Sequence, residues 1–398
     1  MSILEKRLLL VSLGIYSLIA IFSYAYVDLN LTITSNETIL SIIETLQRLG
    51  YFKRNISTGI YLVILLIAFS FFCINLWLFY KKKAGLDYLK ISTVINVIIL
   101  IFAYPFLSSD LFNYLFDAKI ILNYHASPYT HRPLDFPGDE WLRFMRWVHR
   151  YSPYGPLWLI YSLIPAILGF GKFILNFLTF KIFISIFHLV NSYLMFKILG
   201  KVNPKYQLVG TAFYSLNPTL LIEGVANAHN DVVLASSILG SIYFLTLNKK
   251  ILSLTTLIMG SLVKYIPILI VGWFFKEAVS AKKDIERYIK WSLVTMIVFT
   301  YVFSSFKIIV PFVSTGATQV QFQPWYLFWT IPLVALLYRV PLLAIATALC
   351  FGASLRYLSF LYYGDWSHPG TIVFMQTAVI LPPTMITITL LLKKYLRI

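Results

Sequence analysis

Residues 106–154 read FLSSDLFNYLFDAKIILNYHASPYTHRPLDFPGDEWLRFMRWVHRYSPY, the longest interval between apolar runs in the chain. The interval gathers Asp110, Asp117, Asp135, Asp139, Glu140, His125, His131 and His149, while the sequence around it is mostly compatible with hydrocarbon. Apolar runs near the length a helix needs to cross a bilayer recur on both sides. The pattern predicts an all-α polytopic membrane protein with about 11–13 transmembrane helices. An interval this long is functional or disordered, and its aromatic content argues for order.

Composition agrees. Of 398 residues, 59% are hydrophobic and 12% charged, against about 25% charged in a soluble domain. The net charge of +17 comes from Lys and Arg clustered in short segments between spans. Positive-inside topology accounts for that clustering without a nucleic-acid partner. Cys73 and Cys350 both fall inside apolar spans and make no metal spacing.

The same charges set an expected topology. Leu8–Val27 follows Glu5-Lys6-Arg7, is long for a cleaved signal peptide, and reads as a first span with a cytoplasmic N-terminus. Lys81-Lys82-Lys83 marks the cytoplasm after the second span, so Ile91–Leu107 returns outward and residues 106–154 become an external catalytic loop. Within it, Asp110, Asn113, Tyr114, Asp117 and Tyr124 share one face of an interfacial helix. Trp141–Arg150 reads as a second amphipathic helix in the interface plane. The parity of the spans between 157 and 199 stays open. Glu223–Asp231 reads as a polar external turn. Ile251–Phe275 is interrupted by Lys264-Tyr265-Ile266-Pro267 and lies between basic flanks, so it reads as two half-helices with Lys264 at the outer tip. Asp365–Pro369 is expected outside, and the C-terminal Lys393-Lys394-Tyr395-Leu396-Arg397 inside. Residues 1–398 thus form one integral domain of the cell membrane, with no separate soluble domain.

Dinucleotide, Walker, zinc and nucleophile-elbow motifs are missing from the sequence. Four polar clusters remain on the predicted outer face: Ser108–Asp117, the Ser-Pro-Tyr stretches, Asn227–Asp231 and Lys264. A carboxylate beside a cation at one membrane face suits transfer to a hydroxyl from a phosphate-linked donor. The carboxylate accepts the hydroxyl proton, and the cation stabilises charge on the departing phosphate. No soluble α/β domain is available to hold a nucleotide, so the expected donor is a polyprenyl-phosphate sugar, with Lys264 and His229 as its phosphate partners. Backside attack on a β-linked donor gives an α-linked product. No cofactor is implied, and a divalent metal is left open.

The run Ser109-Asp110-Leu111-Phe112-Asn113-Tyr114-Leu115-Phe116-Asp117-Ala118-Lys119, followed by Ser127-Pro128-Tyr129 and Tyr151–Pro156, resembles the first external loop of glycosyltransferase-C mannosyltransferases. The resemblance is to the polyprenyl-phosphomannose-dependent alpha-1,6-mannosyltransferases of bacteria and archaea in particular. Asn217-Pro218, then Asn227-Ala228-His229-Asn230-Asp231, is similar to their NP…GHND segment. Val263-Lys264-Tyr265 and Pro324-Trp325-Tyr326 match later landmarks, all in family order over residues 108–329. Ala228 stands where the family has glycine, and Ser127 where it has asparagine. The resemblance implies an inverting transferase that moves a sugar, mannose in the first instance, from a lipid phosphate to a glycan or glycolipid hydroxyl, with Asp110 as the base.

Each residue also has a plainer role. Asp110 begins a helix, where a carboxylate complements the N-terminal dipole. Asp117 suits orienting the loop or a sugar hydroxyl. His229, Asn230 and Asp231 suit a metal or the donor, and equally a turn between spans. Tyr129 and Tyr154 either stack on a sugar or pack the loop; Trp325 and Tyr326 either meet substrate or anchor the interface. Lys264 either meets phosphate or snorkels. The competing class is a lipid-linked-sugar flippase or other secondary transporter, which would also use broken helices and the intramembrane Lys181 and His188.

Overall fold

The computed structural model describes residues 1–280, 284–302 and 322–396. The far end of the span beginning at Trp291, the stretch Gln319-Val320-Gln321 and Arg397 lie outside the described residues, as do 281–283 of the basic loop. Every regular element among the described residues is a helix. The chain is an all-α polytopic membrane protein. Among the described residues five helices are long and apolar enough to cross a bilayer: Ile3–Tyr26, Arg54–Tyr80, Phe173–Val202, Val340–Tyr363 and Pro369–Tyr395. Pro156–Leu168, Asp231–Thr246, Lys250–Val263 and Pro324–Leu337 are apolar but shorter. Breaks inside several apolar runs divide them into these shorter pieces.

The first helix is fixed at its start by a capping box, in which Ser2 and Glu5 satisfy each other's backbone N–H. Glu5 Oε1 also accepts the Gly85 N–H at 2.8 Å, tying the N-terminus to the turn that starts Leu86–Ile101. The Phe173–Val202 helix has 30 residues, about 45 Å of rise. In its first third Lys181 is fully buried, and its ammonium donates to the carbonyls of Leu100 (3.0 Å), Ala103 and Ala226 (2.8 Å). A buried cation of this kind is tolerated because three carbonyl dipoles replace its hydration.

Two breaks position the polar centre. Asn217-Pro218 ends Gln207–Ser215 and starts a new turn, with Asn217 Oδ1 accepting from Thr219 N (3.0 Å) and Leu220 N (3.4 Å). Proline in the first turn lacks the donor that would otherwise be orphaned. The turn Pro218–Leu221 runs into a π-helix, Ile222–Ala226, a geometry frequent at functional sites. The second break falls at Lys264, which is extended (φ −149°, ψ 132°) between Lys250–Val263 and the 3-10 turn Ile266–Ile270. The break falls where the basic flanks of Ile251–Phe275 and the stretch Lys264-Tyr265-Ile266-Pro267 lead one to expect it.

Three expectations need correction. Trp141–Arg150 is not a helix. A 3-10 turn covers Glu140–Phe144, Met145 is extended, and the Val148 carbonyl is used by Leu134 N at 3.1 Å. Phe144 is buried against Phe112 and Phe173, so the segment packs as a loop instead of floating in the interface. The Asp110–Tyr124 helix is not half-exposed: Leu111 and Leu115 are buried, and so are Asn113, Tyr114 and Asp117 on the polar side. Finally, Glu223–Asp231 is no surface turn. Glu223, Asn227, His229, Asn230 and Asp231 are all buried, because distant side chains supply their partners.

Candidate active site

Asp110 opens its helix at the end of a short loop stitched to the Asn227 region: Leu107 N donates to Asn227 Oδ1 at 3.3 Å, and Asp110 N to Ser108 Oγ at 3.2 Å. Its carboxylate, 15% exposed, meets His229 Nδ1 through Oδ2 at 3.6 Å and Arg150 through Oδ1 at 3.9 Å. Burial alone would raise the Asp110 carboxyl, but His229, Arg150 and Lys264 outweigh it and hold it below the ordinary carboxylate range.

His229 is fully buried between two carboxylates, with Nε2 3.3 Å from Glu223 Oε2. Both contacts are ion-pair contacts, longer than well-aligned hydrogen bonds. Burial favours the neutral ring, yet Asp110 and Glu223 reverse this and push His229 up to about 9. The imidazolium is therefore the form present at neutral pH. Trp325 lies flat on the ring, centroids 3.9 Å apart at 21°. Glu223 is itself secured by the Tyr357 hydroxyl on Oε1 (2.9 Å) and by Asn227 Nδ2 on Oε2 (3.0 Å). Gly224 lets this turn approach the Leu327–Leu337 helix; a Cβ there would lie 2.5 Å from Phe328 Cζ.

A second pair stands beside the first. Asp231 receives Lys264 Nζ on Oδ2 and Trp329 Nε1 on Oδ1, both at 2.7 Å. Tyr326 stacks on Trp329 at 4.2 Å. Lys264 is placed by the close approach of Gly155 to Leu262 and Val263, where a Cβ would come within 2.1 Å of the Leu262 carbonyl. The same approach sets Tyr154 under Lys264, ring centroid 6.0 Å from Nζ. Tyr129 is exposed and donates its hydroxyl to the Tyr154 carbonyl at 2.8 Å.

Behind Asp110, Tyr114 packs edge-on against Tyr154 (5.1 Å) and Trp158 (4.9 Å), and its hydroxyl accepts Asn230 N at 3.4 Å. Burial pushes the Asp117 carboxyl up to about 7. The side chain of Asn230 is buried with no partner on either polar atom among the described residues.

A cavity of 1220 Å³ opens at Asp110. Ser108, Ser109, Asp110, Arg146, Gln323 and Arg356 supply its polar part, and Trp325 lines it as well. Leu342, Leu349, Met375, Val379 and Ile380 supply an apolar part between the Val340–Leu355 and Pro369–Leu396 helices. His229, Asp231 and Lys264 are not among the lining residues. The structure thus joins Asp110, His229 and Trp325, sets Asp231, Lys264, Tyr326 and Tyr154 alongside, and leaves Tyr129 and Asp117 peripheral. Among the described residues no His, Cys, Asp and Glu group is arranged to hold a metal. The sequence reading passed over Glu223, Arg150 and Arg356. Only Glu223 had a visible signal, as an acid within an apolar run six positions before His229.

In this helical membrane body a carboxylate–imidazole pair thus stands at the mouth of an amphipathic cavity. A family model described as alpha-(1->6)-mannopyranosyltransferase, N-terminal domain, matches residues 13–282, and the chain belongs to this mannosyltransferase family. No curated protein and no solved structure matches it.

Proposed function

We propose that the protein transfers mannose from a polyprenyl-phosphate donor to a hydroxyl of a glycan or glycolipid, with inversion, on the extracytoplasmic face of the cell membrane. The observation that carries this reading is the single cavity running from Asp110 to an apolar limb between two helices. A lipid donor has that same polarity: sugar and phosphate at one end, isoprenoid at the other. The acceptor hydroxyl attacks the anomeric carbon while its proton passes to Asp110. The bond from that carbon to the phosphate oxygen breaks, and its electron pair leaves with the lipid phosphate. A phosphate monoester is a weak base, so no general acid is required, and a β-linked donor yields an α-linked product.

Arg146 and Arg356 line the cavity and supply positive charge to the phosphate. Lys264, engaged by Asp231, adds its field from behind. Trp325 offers the sugar an aromatic face at the cavity wall. Residues 1–398 act as one membrane-embedded body, both termini being cytoplasmic.

The test is turnover by purified protein in detergent, offered synthetic polyprenyl-phosphate mannose or GDP-mannose with an alkyl α-mannoside. An α-linked product from the lipid donor alone is expected. Transfer from the nucleotide sugar alone would overturn the reading, and so would an Asp110→Asn variant with wild-type turnover, since that change should cost on the order of 10²–10⁴ in rate. A flippase would give no turnover without a sealed membrane.

A further inference from the structure

Three acids surround the polar centre, and the two fully buried ones are already committed. Asp231 has both oxygens occupied, by Lys264 and by Trp329. Glu223 has both occupied, by Tyr357 on one side and by Asn227 and His229 on the other. Asp110 alone of the three lines the cavity, and its contacts are ion-pair contacts of 3.6 and 3.9 Å. It keeps hydrogen-bonding capacity that the others have used.

We propose that His229 and Glu223 are positioning residues for Asp110: the ring holds Oδ2, leaving Oδ1 to take the acceptor's proton, and Glu223 holds the ring. The proposal rests on the reading of Asp110 as the base. Its support is geometric. The ring is trapped on both nitrogens by carboxylates from different segments and on one face by Trp325. Glu223 comes from the π-helix, whose extra residue per turn shifts it out of α-helical register.

The charged groups facing His229 are Asp110 from its own helix and Glu223 from the π-helix. Arg150 stands behind Asp110, Lys264 and Asp231 form the neighbouring pair, and Arg356 lies beside Glu223. Tyr114, Tyr154 and Tyr357 complete the surround. The acids nearest the ring therefore favour its charged form; Lys264 is held by Asp231 and Arg356 by the Phe322 carbonyl, while Arg150 shares Asp110 with the ring. The charged ring in turn keeps Asp110 ionised and fixed in rotation.

The signs of the pH dependence follow. Activity needs ionised Asp110, which sets an acid limb, and charged His229, which sets an alkaline limb near 9. Removing the Glu223 charge lowers the His229 pKa and draws the alkaline limb down; His229 is still charged where Asp110 titrates, so the acid limb stays in place.

The experiment compares kcat against pH for wild type, Glu223→Gln and Glu223→Asp, using polyprenyl-phosphate mannose and an alkyl α-mannoside. It also follows His229 by NMR in histidine-labelled protein without substrate. Glu223→Gln should move the alkaline limb down by at least one pH unit, about a tenfold loss at the alkaline end, with little change in KM. Glu223→Asp keeps the charge and should leave the limb near 9 while lowering kcat. Coincident profiles for Glu223→Gln and wild type would overturn the proposal. So would a wild-type His229 that titrates below 7, a reading available even if neither variant folds. Failure of the donor hypothesis would appear differently, as absence of lipid-dependent transfer in wild type with the NMR titration unchanged.

Discussion

At Ala228 the backbone takes φ +56°, a left-handed conformation that an L-residue adopts at a cost of about 1–2 kcal/mol. This is the position where the resembling family has glycine, and the reason is now visible: the chain must reverse between Asn227, which holds Glu223, and His229, which meets Asp110. Ala228→Gly removes the strain but also a fully buried methyl, worth about 0.8 kcal/mol, and frees the unfolded chain by about 0.4–1 kcal/mol. These terms nearly cancel, so glycine should leave stability within about 1 kcal/mol of wild type. Ala228→Val combines a β-branched residue at positive φ with overpacking, each costing roughly 1–3 kcal/mol. Denaturant titration in detergent should separate the two variants, with only the valine form losing several kcal/mol. Equal stability would mean that the turn does not hold this conformation.

The break at Asn217-Pro218 does comparable work for a whole segment, because it swings Glu223 and His229 out of a helix and into the polar centre. Asn217→Ala would strip two buried N–H groups of their acceptor, at about 1–3 kcal/mol. It should also lower kcat, although Asn217 touches none of the reacting groups. Activity retained in the face of that destabilisation would show that the centre is positioned by other means. The basic flanks made the break at Lys264 legible in the sequence, and Asp110 at a helix start was legible from its spacing; the break at Asn217-Pro218 was not, because Leu208–Ile222 reads as one apolar run. The burial of Glu223–Asp231 was not. Polar residues between apolar runs look alike whether water or protein solvates them, and Glu223 finds its partner Tyr357 134 positions away. Trp141–Arg150 failed for a related reason. Its apolar residues repeat with helical spacing, but Phe144 is drawn onto Phe112 and Phe173, and Val148 bonds to Leu134.

Across the whole molecule, the proposed orientation predicts that cysteines placed at Ser127 and Ser280 label from opposite sides of sealed vesicles; labelling from one side would refute it. The cage around Lys181 bears on how such a body is assembled. Its three carbonyls are not contemporaries on the ribosome: Leu100 and Ala103 are made before the lysine, Ala226 well after it. Placing a lysine within a lone helix is costly, up to about 2.5–3.5 kcal/mol at the helix centre on insertion scales. The Phe173–Val202 helix therefore enters the bilayer most readily beside a segment already present, the end of Leu86–Ile101, which meets its charge first. Ala226 then closes the cage from the segment that carries Glu223 and His229 into place. The order of synthesis thus lets the turn carrying Glu223 and His229 dock on a foundation that one amine has already joined, before Trp325 and Tyr357 arrive to cover it.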